Sequence, residues 1–146
     1  MKKSKLILFS RILILLMPFS VSCKKEPDRV TVQHVLIAFQ GSIPDESITR
    51  TREEARKIAL EVFDRARKGE DFDDLVRDFT DDQYPGIYSM SNFDVSSRAG
   101  SGEFPRSRMV KAFGDVSFQL AVGEVGMAEY DPEASKYGWH IIKRIE

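Results

Sequence analysis

The 146-residue sequence predicts a single α+β domain, a small antiparallel sheet wrapped by helices. Three observations carry this reading. A β-branched run begins at Val30, an alternating run closes the chain from Trp139, and two amphipathic helical patterns lie in succession between them.

The chain opens with basic residues (Lys2, Lys3, Lys5, Arg11), an apolar stretch from Ile12 to Phe19, and the small-residue end Ser20-Val21-Ser22 before Cys23. This order is that of an export signal over residues 1–22. The unbroken apolar run Ile12 to Met17 falls short of the roughly 20 residues a spanning helix needs, and Pro18 follows it. Cys23 stands where bacterial lipoprotein signals place the cysteine that is lipidated, although Ser20 occupies a position usually held by Leu. An ordinary secretion signal and an uncleaved anchor are the alternatives. Cleavage before Cys23 removes the four basic residues named above and no acidic one, so 22 basic against 23 acidic side chains become 18 against 23. Residues 23–29 are polar and include Pro27, which suits a short tether.

Val30 to Phe39 reads as the first strand, closed by Gly41 and Pro44, with Val30, Val32, His34, Leu36 and Ala38 on one face. Thr51 and Glu54 form a capping box, and Ala55, Ile58, Ala59, Val62, Phe63 and Ala66 follow at helical spacing up to Gly69. Asp71 caps a second helix whose apolar positions are Phe72, Leu75, Val76 and Phe79, ending near Thr80. From Asp81 to Arg106 periodicity is lost and turn residues dominate, which predicts a long irregular loop. Ser107 is expected to cap a short helix carrying Met109, Val110 and Phe113 and ended by Gly114, with a further helical turn over Val116 to Ala121. Val125 to Tyr130 and Trp139 to Ile145 are the remaining strands, with His140, Ile142 and Arg144 on one face of the last.

Composition narrows the function. Near-balanced charge and a pI near 6.2 lack the basic stripe that nucleic acid binding requires, so no nucleic-acid partner is expected. One cysteine and two distant histidines offer no metal-ligand spacing, so no metal is expected either.

Several motifs then agree in order: Gln33-His-Val-Leu-Ile37, Ile48-Thr-Arg-Thr-Arg-Glu-Glu-Ala55, Gly69-Glu-Asp-Phe-Asp-Asp-Leu75, Met109-Val-Lys-Ala-Phe113, Asp115-Val-Ser-Phe118, Val122-Gly-Glu-Val125 and Tyr137-Gly-Trp-His-Ile-Ile-Lys143. Over Thr31 to Glu146 the chain resembles the parvulin family of peptidyl-prolyl cis/trans isomerases, or rotamases. The resemblance implies a parvulin-like four-stranded antiparallel sheet surrounded by helices, with the first and last strands central, over a domain of residues 30–146. It further implies catalytic roles for His34, Asp82, His140 and Ser135, the last through a hydroxyl bonded into the histidine network. Met109 and Phe113 match the wall that holds the substrate's proline ring, with Phe118 nearby. Ser101 in Ala99-Gly-Ser-Gly102 replaces a leucine that usually completes the pocket, and the segment from Asp82 to Arg98 is longer than in compact members. Without the resemblance, the histidines read first as a pair locking two strands, and Met109 and Phe113 as ordinary core.

The chemistry is conformational. Amide resonance sets a rotation barrier of about 18–20 kcal/mol, and a catalyst must bind the twisted bond better than either planar isomer. No cofactor is needed. The expected function is a peptidyl-prolyl isomerase assisting the folding of exported proteins, lipid-anchored in the bacterial cell envelope, with proline-containing polypeptides as clients. The alternatives are a catalytically weak chaperone or peptide-binding module, favoured by Ser101 and the longer loop, and a structural scaffold. Ala38 to Ile48 contains no Lys or Arg but carries Asp45 and Glu46, so phosphate-specific recognition is not expected, with Arg98, Arg106 and Arg108 the remaining candidate cations.

Overall fold

The computed structural model describes residues 25–146; the export-signal and Cys23 readings fall outside them. The elements run β1 (Arg29–Ile37), α1 (Arg52–Arg67), α2 (Phe72–Phe79), β2 (Ile87–Ser91), β3 (Phe104–Pro105), a 3-10 turn (Arg106–Arg108), α3 (Lys111–Gln119), β4 (Val125–Ala128) and β5 (Trp139–Arg144). They form one five-stranded sheet in the order β3-β2-β1-β5-β4. The expected antiparallel strands are present. The sheet as a whole is mixed because the two-residue β3 joins β2 in parallel, pairing Met90 with Phe104 and Ser91 with Pro105.

Both early helices start where their caps dictate. Thr51 accepts the Glu54 amide while the Glu54 carboxylate accepts the Thr51 amide, and Asp71 accepts the Asp74 amide. Alternation then sorts each central strand into two faces. Val35, Ile37, Trp139 and Ile141 point toward α1 and α2 and join Ala55, Ala59, Val62, Leu75 and Val76 in one core. Val30, Val32, Met90 and Ile142 point the other way and pack with Phe113, Phe118 and Leu120 of the α3 region. His34 and His140 lie on this second face, on adjacent strands, because His140 stands opposite Leu36 and His34 opposite Ile142.

Two expectations are corrected. The segment from Asp81 to Arg106 is not wholly irregular: Ile87–Ser91 pairs with β1 over Arg29 to Gln33, and irregular stretches flank it, residues 80–86 before and 92–103 after. The helix carrying Phe113 is not ended by Gly114. It runs continuously to Gln119, and a Cβ on Gly114 would stand 3.1 Å from Arg106 Cγ, so this glycine makes room for the buried arginine. Met109 precedes α3 in extended conformation, after the 3-10 turn. No side chain caps α3. Instead the Ala134 carbonyl accepts the Ala112 amide, tying the turn before β5 to the helix start.

Candidate active site

His34 is held by backbone fit. Its amide donates to the Gly86 carbonyl at 2.9 Å. Gly86 has φ +66°, and a Cβ there would lie 2.6 Å from the His34 carbonyl oxygen, so only glycine allows β1 and the start of β2 to approach this closely. The ring is buried, with Tyr88 (5.2 Å between centroids) and Phe113 (5.1 Å) set edge-on to it and His140 stacked at 5.4 Å.

Three polar contacts join the floor of the site. His34 Nε2 lies 3.1 Å from Asp82 Oδ2, the Tyr88 hydroxyl donates to the same oxygen at 2.8 Å, and the two histidine Nδ1 atoms lie 3.3 Å apart. With one proton on each ring, the arrangement that makes every contact a hydrogen bond has His140 Nδ1–H donating to His34 Nδ1 and His34 Nε2–H donating to Asp82. His140 Nε2 is then an unprotonated nitrogen, buried with no partner among the described residues. Hydrogen bonding to His34, foremost, holds the Asp82 carboxyl well below the ordinary carboxylate range, against the opposing effect of burial. Burial pushes His140 down to about 3, helped by its neighbour His34. Burial and the Asp82 charge push the Tyr88 phenol up to about 12, which keeps it a donor.

Asp81, next to Asp82, is turned elsewhere: it accepts the Ala38 amide at 2.7 Å and the Arg50 guanidinium at 2.6 Å. It fastens the end of α2 to β1, which leaves Asp82 as the carboxylate of the histidine network.

Above this floor opens a pocket of roughly 340 Å³, walled by Met109, Val110, Phe113, Tyr88, Leu36, Ile43 and Tyr137 and floored by the histidines and Asp82. It is an apolar slot closed at one end by a hydrogen-bonded polar cluster, large enough for a five-membered ring and its flanking peptide groups.

A family model described as the PPIC-type PPIASE domain matches residues 19–146. The chain belongs to this family. The fold agrees: the solution structure of TbPIN1 superposes with a TM-score of 0.61 at 23% identity, over 82% of this chain and 98% of that one. The foldase protein PrsA of Geobacillus kaustophilus is 38% identical over 60% of the chain and 26% of its own length. The chaperone SurA of Pseudomonas savastanoi is 31% identical over 80% of the chain and 22% of its own. The peptidyl-prolyl cis-trans isomerase pin1 of Schizosaccharomyces pombe is 30% identical over 80% of the chain and 62% of its own. The chain therefore spans about a quarter of the length of the PrsA and SurA relatives.

Within this PPIC-type domain the structure brings His34, His140, Asp82, Met109 and Phe113 to one pocket and leaves three expected residues outside it. Ser135 is buried, but its hydroxyl donates to the Gly138 carbonyl at 2.9 Å, not to a histidine, because it closes the turn leading into β5. Phe118 lies five residues beyond Phe113, about 140° round the helix, and packs under the Arg106 guanidinium at 4.7 Å. Ser101 is exposed and caps a local turn by donating to the Arg98 carbonyl. Tyr88, from the strand in the segment expected to be a loop, lines the slot wall.

Proposed function

We propose that this domain isomerises X-Pro bonds of extended polypeptide in the apolar slot, as a foldase for exported proteins anchored outside the cytoplasm through a lipid on Cys23. The observation that carries the catalytic part is the slot itself: Phe113 and Met109 stand over a buried His34–His140–Asp82 cluster. The proline ring seats against Phe113, Met109 and Tyr88. Burial of the bond excludes the water that stabilises the planar, charge-separated amide, so the twisted form, which has lost resonance, is favoured relative to it. Asp82 fixes the His34 ring through Nε2, and His34 in turn fixes His140, so the floor meets the substrate as a set of preoriented dipoles.

The foldase role draws on the names of the PrsA and SurA relatives, the extracytoplasmic address on the basic–apolar–small order before Cys23. The peptide-holding alternative leaned on a pocket weakened at Ser101. Ser101 lies outside the slot and Tyr88 lines its wall, so isomerisation is the stronger reading.

Exchange between cis and trans X-Pro isomers is slow, tens to hundreds of seconds without a catalyst. The protein is expected to accelerate it for an Ala-X-Pro-Phe peptide, measured by NMR exchange. A folded protein without effect across a panel of X residues refutes the catalytic reading. For the anchor, mass spectrometry of the processed N-terminus is expected to show acylated Cys23, and Cys23→Ser to release the protein from membranes or stall its processing. An unmodified, uncleaved N-terminus refutes it.

A further inference from the structure

The Tyr88 side chain takes part in both halves of the site. Its ring is set edge-on to His34 and, with centroids 5.9 Å apart, to Phe113, forming the slot wall, while its hydroxyl donates to Asp82 Oδ2. We propose that Tyr88 is a positioning residue for the isomerase reaction, a clamp that holds Asp82 in the rotamer from which it orients His34; the inference rests on the slot being the catalytic site.

The need for a clamp is visible in the surroundings of Asp82. It lies just past the end of α2, its side chain is 32% exposed, and its neighbour Asp81 is drawn the other way toward Arg50. The backbone fixes the start of the loop, where the Asp82 amide donates to Thr80 Oγ1. The carboxylate itself is gripped by two side-chain donors on one oxygen, His34 from β1 and Tyr88 from β2. If the tyrosine is taken away, the partly exposed carboxylate keeps the amide of its chain neighbour Gln83 and, from the sheet, only the donor it is meant to position. An arrangement in which the positioned group is also the only anchor from the sheet holds neither firmly. The charged and titratable groups that bear on Asp82 are His34, His140 behind it and Tyr88; the high pKa of the phenol keeps its proton available for this bond at any working pH.

A cycle of variants separates the clamp from a merely structural tyrosine. Tyr88→Phe keeps the ring and removes the hydroxyl, so KM for an X-Pro peptide should stay within about twofold while kcat falls about tenfold, the scale of partial misplacement of a catalytic group. In an Asp82→Asn background the same change should cost less than about twofold, since the hydroxyl acts through the carboxylate. The midpoint of the Asp82 side-chain 13C titration should rise in Tyr88→Phe. A loss of kcat equal in both backgrounds, a change confined to KM or to thermal stability, or an unmoved Asp82 midpoint overturns the inference. The carboxyl titration does not depend on turnover, so an inactive wild type would refute the catalytic reading while the clamp is still decided.

Discussion

The two buried imidazoles meet through like atoms: His34 Nδ1 and His140 Nδ1 lie 3.3 Å apart, with the rings within 16° of parallel. Two such nitrogens attract only if one carries a proton and the other does not, so the pair tolerates one arrangement and rejects the doubly charged state. This makes the floor of the site a point of acid sensitivity.

The first prediction follows from His140. Its folded pKa, about 3, lies below the ordinary 6.5, because burial and His34 both oppose its charge. Between those values the unfolded chain binds a proton that the folded chain refuses, so stability rises with pH and falls on acidification, with a slope approaching about 1.4 kcal/mol per pH unit. Urea unfolding between pH 6.5 and 5, above the carboxylate range, is expected to show this slope. The difference between wild type and His140→Leu isolates it. Equal slopes in the two proteins refute the assignment.

A second prediction ranks the wall above the floor. Phe113 is 2% exposed and touches both the slot and the second core, so Phe113→Ala should cost about 3–5 kcal/mol of stability and lower kcat/KM more than Asp82→Ala does. Phe113→Leu, which keeps most of the apolar volume, provides the folded comparison. A larger loss for Asp82→Ala than for folded Phe113→Leu and Phe113→Ala would put the barrier reduction on the polar floor.

The legibility of this arrangement in the sequence was uneven for physical reasons. Caps write themselves into short, local patterns, and α1 and α2 begin where Thr51, Glu54 and Asp71 place them. The histidines are 106 residues apart, and strand alternation alone puts each on the right face without saying that the strands adjoin. The motif order supplied that neighbourhood. Tyr88 was hidden because Ile87–Ser91 is five residues long, mixes serines with apolar residues, and follows Pro85-Gly86, so it carries turn signals at the very place where the fold needs a tight entry into a strand. The alternation of Tyr88 and Met90 against Ile87 and Ser89 was the available signal. Ser101 and Ser135 illustrate the reverse problem: a residue matched by order alone can satisfy its hydroxyl within its own turn.

A third prediction concerns Arg106, which the sequence offered only as a loop cation. It is 7% exposed and donates to Glu26 at 2.6 Å, Asn92 at 2.8 Å and Asp115 at 2.8 Å, with the rings of Phe93 and Phe118 4.7 Å from its guanidinium carbon. One planar cation thus ties the segment before β1, the loop after β2 and α3 together. Arg106→Ala leaves Glu26 without its cation and Asp115 with Lys111 alone, and opens a cavity beneath Phe93 and Phe118; with both carboxylates a third or more exposed, the cost is mainly lost packing and should be about 2–3 kcal/mol. Arg106→Lys should recover only a minor part, because an ammonium cannot reproduce the forked contacts. Unfolding free energies within about 1 kcal/mol of wild type for Arg106→Ala, as for an exposed pair, would refute this.

The last prediction concerns substrate charge. A phosphate before the proline requires free cations at the mouth of the slot, held so that charge-assisted hydrogen bonds form. The loop after β1 supplies none from Ala38 to Ile48, and Asp81 and Asp82 line the slot. Of the arginines nearby, Arg50 is spent on Asp81 and Arg106 is buried against Glu26 and Asp115. Arg98 is exposed but belongs to a separate hollow with Arg29, Glu103 and Glu146, which leaves Arg108, exposed beside Met109. Arg108 and the exposed Lys136, whose ammonium stands 5.1 Å from the ring of Tyr137 in the slot wall, are separate flexible side chains facing the Asp82 carboxylate and do not make a phosphate site. Unphosphorylated Ser-Pro peptides should therefore be processed at least as well as their phosphorylated twins. The ratio of the two kcat/KM values, taken at low ionic strength where attraction is least screened, decides the matter. A strong preference for the phosphorylated peptide that disappears in Arg108→Ala would show that this single arginine outweighs the acidic mouth.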